Sequence, residues 1–384
     1  MKKIIVIGLS LALGLTLNLG ASVSQAAGKA PFKIGRILPL TGYASWVGVL
    51  AEEGTALQAE MINKAGGVNG HPIEFVTYDS QSKPEEATRA AHRLISRDGV
   101  QAIVGDGSVP IAAPVFALGN QKKIPVFFAC GYAVNPQKEP FSFNAAHPTE
   151  FAVQRPFKYF KEKGMTKIAF LMTVGPLGEL GSRIGREVAD EFGLTVVGEE
   201  KFETHAADVT PQLTKIRKLD PDAIFAFSTG EPPAMVARNM AQLNMDMPLL
   251  VSHGNATPGF LKMVGGVSTM VIVPSGKITV LDKLADSDPV KKTLQEFNEK
   301  YIARYKAPAT YYAGQSADGV ALLAEAMKIA GTSDPVRVRD ALETVKNFHG
   351  KNGVFNLSPT DHHGTSLEDM VCVTIKDGKW HLLQ

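Results

Sequence analysis

The chain has 384 residues, with 40 Lys and Arg against 38 Asp and Glu, and 45% of its residues are hydrophobic. A charge balance this close to neutral argues against a nucleic-acid-binding protein, which would need a net basic face. Cys130 and Cys372 are the two cysteines, and without CxxC spacing they argue against a metal site. Whether they pair is left open by the sequence, and we predict no cofactor.

The N-terminus has the three features of a secretory signal peptide. Lys2 and Lys3 precede an apolar run over about 4–19, and small residues follow up to Ala27. We predict cleavage after Ala26, which leaves a periplasmic chain of about 358 residues. The alternative is a membrane anchor, but the run is short for a span of about 20 residues. A mature chain of this length predicts two domains.

Strands alternate with helices in the first part of the mature chain. The predicted elements are a strand over 32–38, a helix over 46–65, a strand over 71–78, a helix over 84–97, a strand over 101–104, a helix over 110–121 and a strand over 125–128. This alternation indicates right-handed crossovers and a parallel sheet. A break at 144–148 ends the first unit.

The same alternation then starts again. The predicted elements are a helix over 149–163, a strand over 167–172, a helix over 179–192, a strand over 195–202, a helix over 209–219, a strand over 222–227, a helix over 232–243 and a strand over 249–252. Three late helices, over 288–305, 314–330 and 335–345, have no strands of their own, so we expect them to cover a sheet already built. A strand-rich tail follows over 353–383, in which His362 and His363 beside Asp361 indicate a solvated turn.

Several short motifs follow one another along the mature chain. They are Pro39-Leu40-Thr41-Gly42, Ile62-Asn63-Lys64-Ala65-Gly66-Gly67-Val68-Asn69-Gly70, Tyr78-Asp79-Ser80, Gly105-Asp106-Gly107-Ser108 and Pro221-Asp222-Ala223. In these runs the chain resembles the leucine/isoleucine/valine-binding family, the type I periplasmic solute-binding proteins of ABC importers. The resemblance implies an α/β fold of two doubly wound α/β lobes joined by a three-stranded hinge. We expect lobe 1 at 27–145 plus 275–355 and lobe 2 at 146–274 plus 356–384, after a signal peptide at 1–26.

Ser108 is the first candidate for ligand binding. It follows a strand and a glycine and precedes Pro110, so we predict that it is the N-cap of the next helix. A helix start offers free N–H donors and a positive dipole end, which attract a carboxylate. The resemblance implies that the Ser108 hydroxyl and nearby amides, including that of Val109, hold the carboxylate of a ligand. The alternative is that Ser108 only caps its helix.

Further candidates follow other strands. The loop Cys130, Gly131 and Tyr132 lies at the same sheet edge, and its family counterpart contacts the same carboxylate. Tyr132 is expected at the cleft, whereas Trp46 is either an apolar wall of the cleft or a core residue. In lobe 2, three positions lie just past strands, where open α/β sheets place ligand groups. They are Leu177, Thr229 with Gly230, and His253.

Two of these positions differ from what the resemblance implies. Amino-acid-binding relatives carry an acidic residue near the His253 position and a tyrosine near the Leu177 position. A buried ammonium group without a carboxylate partner is costly. Glu231 is either a substitute for that acid or a solvent-facing residue at a helix start. The sequence therefore favours a carboxylate without an ammonium group, with an aromatic or branched body, and an apolar amino acid is the alternative.

The predicted function is capture of this small carboxylate between two closing lobes and its delivery to an ABC permease in the inner membrane. We expect a monomer that binds no nucleic acid. A second alternative is a ligand-binding sensor that works with a membrane receptor. We do not predict an enzyme, because the residues around Ser108 lack the Gly-x-Ser-x-Gly elbow and no metal-ligand spacing is present.

Overall fold

The computed structural model describes residues 29–383, so the predicted signal peptide lies outside the described residues. The strands are β1 (Phe32–Leu38), β2 (Ile73–Asp79), β3 (Ala102–Asp106), β4 (Val126–Ala129), β5 (Ser142–Asn144), β6 (Lys167–Thr173), β7 (Thr195–Phe202), β8 (Ala223–Ala226), β9 (Leu249–Val251), β10 (Val271–Gly276), β11 (Phe348–His349), β12 (Val354–Phe355), β13 (Met370–Lys376) and β14 (Lys379–Leu382). The α-helices are α1 (Ser45–Lys64), α2 (Pro84–Arg93), α3 (Val109–Lys122), α4 (Phe151–Glu162), α5 (Pro176–Ala189), α6 (Thr210–Arg217), α7 (Glu231–Gln242), α8 (Pro258–Met263), α9 (Lys291–Tyr305), α10 (Tyr311–Ala330) and α11 (Pro335–Leu342).

Two separate sheets form the centres of two lobes, which confirms the predicted fold class. The first sheet has five parallel strands in the order β2-β1-β3-β4-β5. The second has seven strands in the order β14-β13-β10-β9-β8-β6-β7, parallel except that β13 and β14 run antiparallel to their neighbours. Strands such as β4 are apolar and buried throughout, because helices cover both faces of a parallel sheet.

Within residues 29–383, the chain passes between the two lobes three times. The core contacts place these passages at 145–152, 276–284 and 357–370. Helices α10 and α11 return to the first lobe, where Val320, Leu323 and Leu342 pack with Val104 and Phe127 of its sheet. The residue bounds expected for the two lobes stay a prediction.

Close packing of α1 against α10 shapes the first lobe. A Cβ atom at Gly54 of α1 would lie 2.1 Å from the carbonyl oxygen of Ala313 in α10. Only glycine permits this approach of two helix backbones. The approach brings the N-terminal turn of α1, which carries Trp46, beside the first turn of α10, which carries Tyr312.

Some local predictions were wrong. Helix α10 begins three residues before the predicted Gly314, because the Thr310 side chain caps it by accepting from the Ala313 N–H. Helix α8 was not predicted at all. His362 is buried and does not lie in a solvated turn, since its ring stacks on Phe143 with 3.9 Å between centroids.

The two cysteines do not form a disulfide. Cys130 and Cys372 are both buried and free. They belong to different cores, because Cys130 packs in the first lobe and Cys372 in the second. Burial raises the pKa of each thiol to about 12, so both are neutral near pH 7.

Candidate functional site

A cleft of about 750 Å³ lies between the lobes. Residues near the carboxyl ends of β8 and β9 line one side, where open α/β sheets bind their ligands, and the start of α1 lines the other. The thirteen lining residues are Tyr43, Trp46, Val49, Leu50, Thr229, Gly230, Gly254, Asn255, Thr257, Pro258, Gly259, Phe260 and Met263.

Ser108 is the N-cap of α3, as predicted, but its hydroxyl does not cap the helix. The residue is extended, with φ −96° and ψ 162°, and its side chain makes no cap hydrogen bond. Instead, its Oγ lies 3.1 Å from the hydroxyl of Tyr43. Pro110 has no N–H and the Ile111 N–H donates to the Ser108 carbonyl, so Val109 provides the first backbone donor of this helix.

Tyr43 connects Ser108 with the cleft. Its side chain lines the 750 Å³ cleft and its hydroxyl reaches Ser108. Two hydroxyl groups and the Val109 N–H therefore lie together at the start of a 14-residue helix. The positive end of the helix dipole and these donors suit an anionic group such as a carboxylate.

The loop after β4 lies at a second, smaller cavity of about 220 Å³, which Cys130, Gly131 and Tyr132 help to line. The Cys130 carbonyl accepts from Asn144 Nδ2 at 2.7 Å. A Cβ atom at Gly131 would lie 2.9 Å from Thr149 Oγ1, so the absence of a side chain lets the loop approach the first inter-lobe passage.

The Tyr132 side chain is held within the first lobe. Its hydroxyl donates to Glu139 Oε1 at 2.7 Å, and its ring packs on Phe116 with 5.0 Å between centroids. The 750 Å³ cleft is lined by Tyr43 and not by Tyr132. The expected contact between Tyr132 and a ligand stays a prediction.

Trp46 and Tyr312, both of the first lobe, contact each other beside the cleft. Trp46 is 47% exposed and its indole meets the Tyr312 ring edge-on, with 5.1 Å between centroids. The Tyr312 hydroxyl donates to the Gly254 carbonyl of the second lobe at 3.2 Å. Trp46 thus lines the cleft. The Tyr312–Gly254 hydrogen bond joins the two lobes beside it.

In the second lobe, Thr229 and Gly230 line the cleft. The Gly230 N–H donates to Asn255 Oδ1 at 2.8 Å, which fixes the loop after β8 to the loop after β9. Leu177 lies in the first turn of α5, is exposed, and is not among the residues that line the 750 Å³ cleft.

His253 precedes Gly254, and its ring turns toward Phe227, with 6.3 Å between ring centroids. Its Nδ1 atom is buried and has no hydrogen-bond partner among the described residues. Burial lowers its pKa to about 4, so the imidazole is neutral at pH 7. The residue contributes no charge to this part of the molecule.

None of the thirteen residues that line the cleft is Asp, Glu, Lys, Arg or His. Glu231 forms an ion pair with Arg238 in solvent. Asp106, two residues before Ser108, is buried and accepts a hydrogen bond from Ser316 Oγ at 2.6 Å. Burial raises the pKa of Asp106 to about 7. The lining of the cleft is therefore uncharged.

Within residues 29–383, no three His, Cys, Asp or Glu side chains are grouped so that they would hold a metal ion. No helix in the same range is both long and apolar enough to cross a membrane.

The sequence interpretation missed several cleft residues. Tyr43 stands in the breaker-rich loop after β1, where no pattern distinguishes it. Phe260 and Met263 lie on α8, whose start Thr257-Pro258 is an N-cap followed by a first-turn proline. That signal was available from the sequence.

Comparisons with known proteins identify related chains. A family model described as "Periplasmic binding protein" matches residues 31–379. The leucine-, isoleucine-, valine-, threonine-, and alanine-binding protein of Pseudomonas aeruginosa is 23% identical over 325 residues, which are 84% of each chain. Leu/Ile/Val-binding protein homolog 3 of Brucella melitensis is 22% identical over 345 residues, covering 87% of this chain and 89% of the relative.

Solved structures share the fold. Rp1789 of Rhodopseudomonas palustris has a TM-score of 0.81 at 23% identity, covering 92% of this chain and 100% of its own. The branched-chain amino acid transporter substrate binding protein LivJ of Streptococcus pneumoniae, solved in complex with isoleucine, has a TM-score of 0.76 at 22% identity, covering 92% and 99% of the two chains.

Proposed function

Because this chain belongs to the periplasmic binding protein family, we propose that it is the solute-capturing component of an ABC importer. Its partner is a permease in the inner membrane, and it reaches the periplasm through a cleaved signal peptide at 1–26. It acts as a monomer and binds its solute without chemical change. The match of the family model to residues 31–379 supports this role.

The ligand is a small carboxylate with an aromatic or branched apolar body. The observation that carries this proposal is the Ser108 hydroxyl, which leaves its own helix uncapped and lies 3.1 Å from the Tyr43 hydroxyl. When the Tyr43 hydroxyl donates to Ser108 Oγ, the Ser108 hydroxyl and the Val109 N–H offer two donors to one anion at a helix start. The uncharged lining of the cleft suits an apolar body.

Capture proceeds by closure of the lobes on the ligand. The carboxylate binds first to the Ser108 side of lobe 1, and Thr229 and Gly230 of lobe 2 then cover the body. The Tyr312 hydroxyl already donates to the Gly254 carbonyl across the cleft, and we infer that closure keeps this bond between the lobes. A ligand stabilises this form by its differential affinity for it, and the permease recognises the closed form.

Substitution of Ser108 tests the carboxylate site. In Ser108→Ala, 3-phenylpropionate should bind more weakly by roughly 1.5–3 kcal/mol, or about 10- to 150-fold, because a hydrogen bond to a charged group is lost. Ser96→Ala is the matched control, because the Ser96 hydroxyl donates to the His92 carbonyl at the end of α2. Titration calorimetry with each variant measures the effect. Equal affinities of the two variants would reject Ser108 as the carboxylate site.

A second candidate ligand is a branched-chain or other apolar amino acid. The names of the Pseudomonas aeruginosa relative and of the isoleucine complex favour it. The ammonium group of such a ligand needs a carboxylate partner. Asp106, a buried carboxyl group two residues before Ser108, is the candidate for that partner. Two matched pairs decide between the classes: leucine with 4-methylpentanoate, and phenylalanine with 3-phenylpropionate. Binding of the amino acids alone would exclude the des-amino carboxylate.

A further inference from the structure

An apolar groove forms part of the cleft. We call the α1–α8 groove the surface between Trp46, Val49 and Leu50 of α1 and Phe260 and Met263 of α8. Its two walls belong to different lobes, so closure brings them toward each other. The indole N–H of Trp46 is the one hydrogen-bond donor among these five side chains.

The groove leaves large apolar side chains in contact with solvent. Trp46 and Val49 are each 47% exposed, and Met263 is 43% exposed. Exposed apolar side chains that face each other across a cleft mark a binding surface, because a bound apolar group removes them from water. A ligand that reaches this groove therefore gains affinity from each carbon placed in it.

The groove is continuous with the proposed carboxylate site. Tyr43 lines the same cleft as Met263, and its hydroxyl lies 3.1 Å from Ser108 Oγ. One molecule can thus place a carboxylate at Ser108 and an apolar body between α1 and α8. The cleft volume of about 750 Å³ falls in the range of sites for drug-sized ligands, of roughly 300–1,000 Å³. A ligand as short as leucine leaves much of that volume unfilled.

We propose that the solute is a monocarboxylate with an extended, uncharged apolar body, of the size of a phenylalkanoate, and that Met263 and Val49 determine its length. This inference rests on the proposed function, because it assumes that the carboxylate binds at Ser108. Through Met263, helix α8 then contributes to the choice of ligand.

A series of chain lengths tests the inference. Phenylacetate, 3-phenylpropionate and 5-phenylpentanoate are titrated by calorimetry against the full mature protein. Affinity should increase about fourfold for each added methylene. In Met263→Gln the dependence of affinity on chain length should disappear. Ile329→Gln is the matched control, because Ile329 is 50% exposed on α10 and does not line the cleft.

The outcomes separate this inference from the proposed function. If phenylacetate binds in a Ser108-dependent way but length has no effect, the carboxylate site stands and the length inference is wrong. Retained length dependence in Met263→Gln would also overturn it. If no member of the series binds, both proposals fail. If the groove instead joins two copies of the chain, light scattering will show a dimer that Met263→Gln dissociates, which again contradicts a ligand in the groove.

Discussion

Substitution of Lys351 by methionine should destabilise the first lobe strongly. Lys351 and Asp318 form a buried ion pair, with 5% and 0% of their side chains exposed and 3.5 Å between Nζ and Oδ1. The Asp318 carboxylate also accepts from the backbone N–H groups of Lys351 and Asn352, at 2.8 and 2.7 Å. Methionine keeps most of the apolar part of the side chain and removes its charged end.

The size of the effect follows from what remains after the substitution. Removing one partner of a buried pair costs about 3–5 kcal/mol, because the other charge stays buried. In Lys351→Met the two N–H donors still bind Asp318, so we expect the lower value, about 3 kcal/mol. Asp318→Ala should cost more, because it leaves a buried ammonium group and two backbone N–H groups without their acceptor.

Urea unfolding followed by circular dichroism measures the decrease in the free energy of unfolding. For a lobe of this size, about 3 kcal/mol corresponds to a fall in melting temperature of roughly 6–12 °C. Lys292→Met on α9 is the control, because Lys292 is exposed. If Lys351→Met unfolds at the same urea concentration as Lys292→Met, the buried pair does not stabilise the lobe as described.

Three further changes have definite expected results. Tyr312→Phe removes the hydrogen bond to the Gly254 carbonyl, so calorimetry should show roughly 2- to 12-fold weaker binding of 3-phenylpropionate; unchanged affinity would contradict a role for this bond in closure. Gly131→Ala places a Cβ 2.9 Å from Thr149 Oγ1, and the crowding should lower the unfolding free energy by about 1–3 kcal/mol, which Thr149→Ala in the same chain should partly restore. The pKa of His253 is lowered to about 4 in the folded protein, below the unfolded value of 6.5. Its contribution to stability is therefore complete above pH 6.5 and is lost as the pH falls toward 4, so His253→Gln should lessen the acid sensitivity of the unfolding free energy. An identical pH profile for the variant would refute that assignment.

The arrangement of the sheets was predictable because it depends on local patterns. Several buried strands are apolar runs in the sequence, and β4 lies within one residue of its predicted bounds, 125–128. In helices of ten or more residues the apolar side chains repeat at helical spacing. The alternation of strand and helix can therefore be predicted from the sequence in both lobes. Helix α8 has six residues, too few for a period to appear, and only its Thr257-Pro258 start indicates it.

The walls of the cleft were less predictable because they depend on contacts between distant residues. Trp46 meets Tyr312 since α1 packs against α10 at Gly54, and no pattern in either helix encodes that approach. Ser108 differs in this respect, because a strand, a glycine and Pro110 identify it as an N-cap from the local sequence. That its hydroxyl faces Tyr43 and not its own helix is visible only in three dimensions.

A crystal structure of the protein with 3-phenylpropionate is the most direct measurement of solute capture at Ser108. We predict a carboxylate oxygen within about 3 Å of Ser108 Oγ and of the Val109 N–H, with the phenyl ring against Trp46 and the lobes closed over it. A ligand whose carboxylate lies away from Ser108, or that binds outside the cleft between the lobes, would contradict the proposed site.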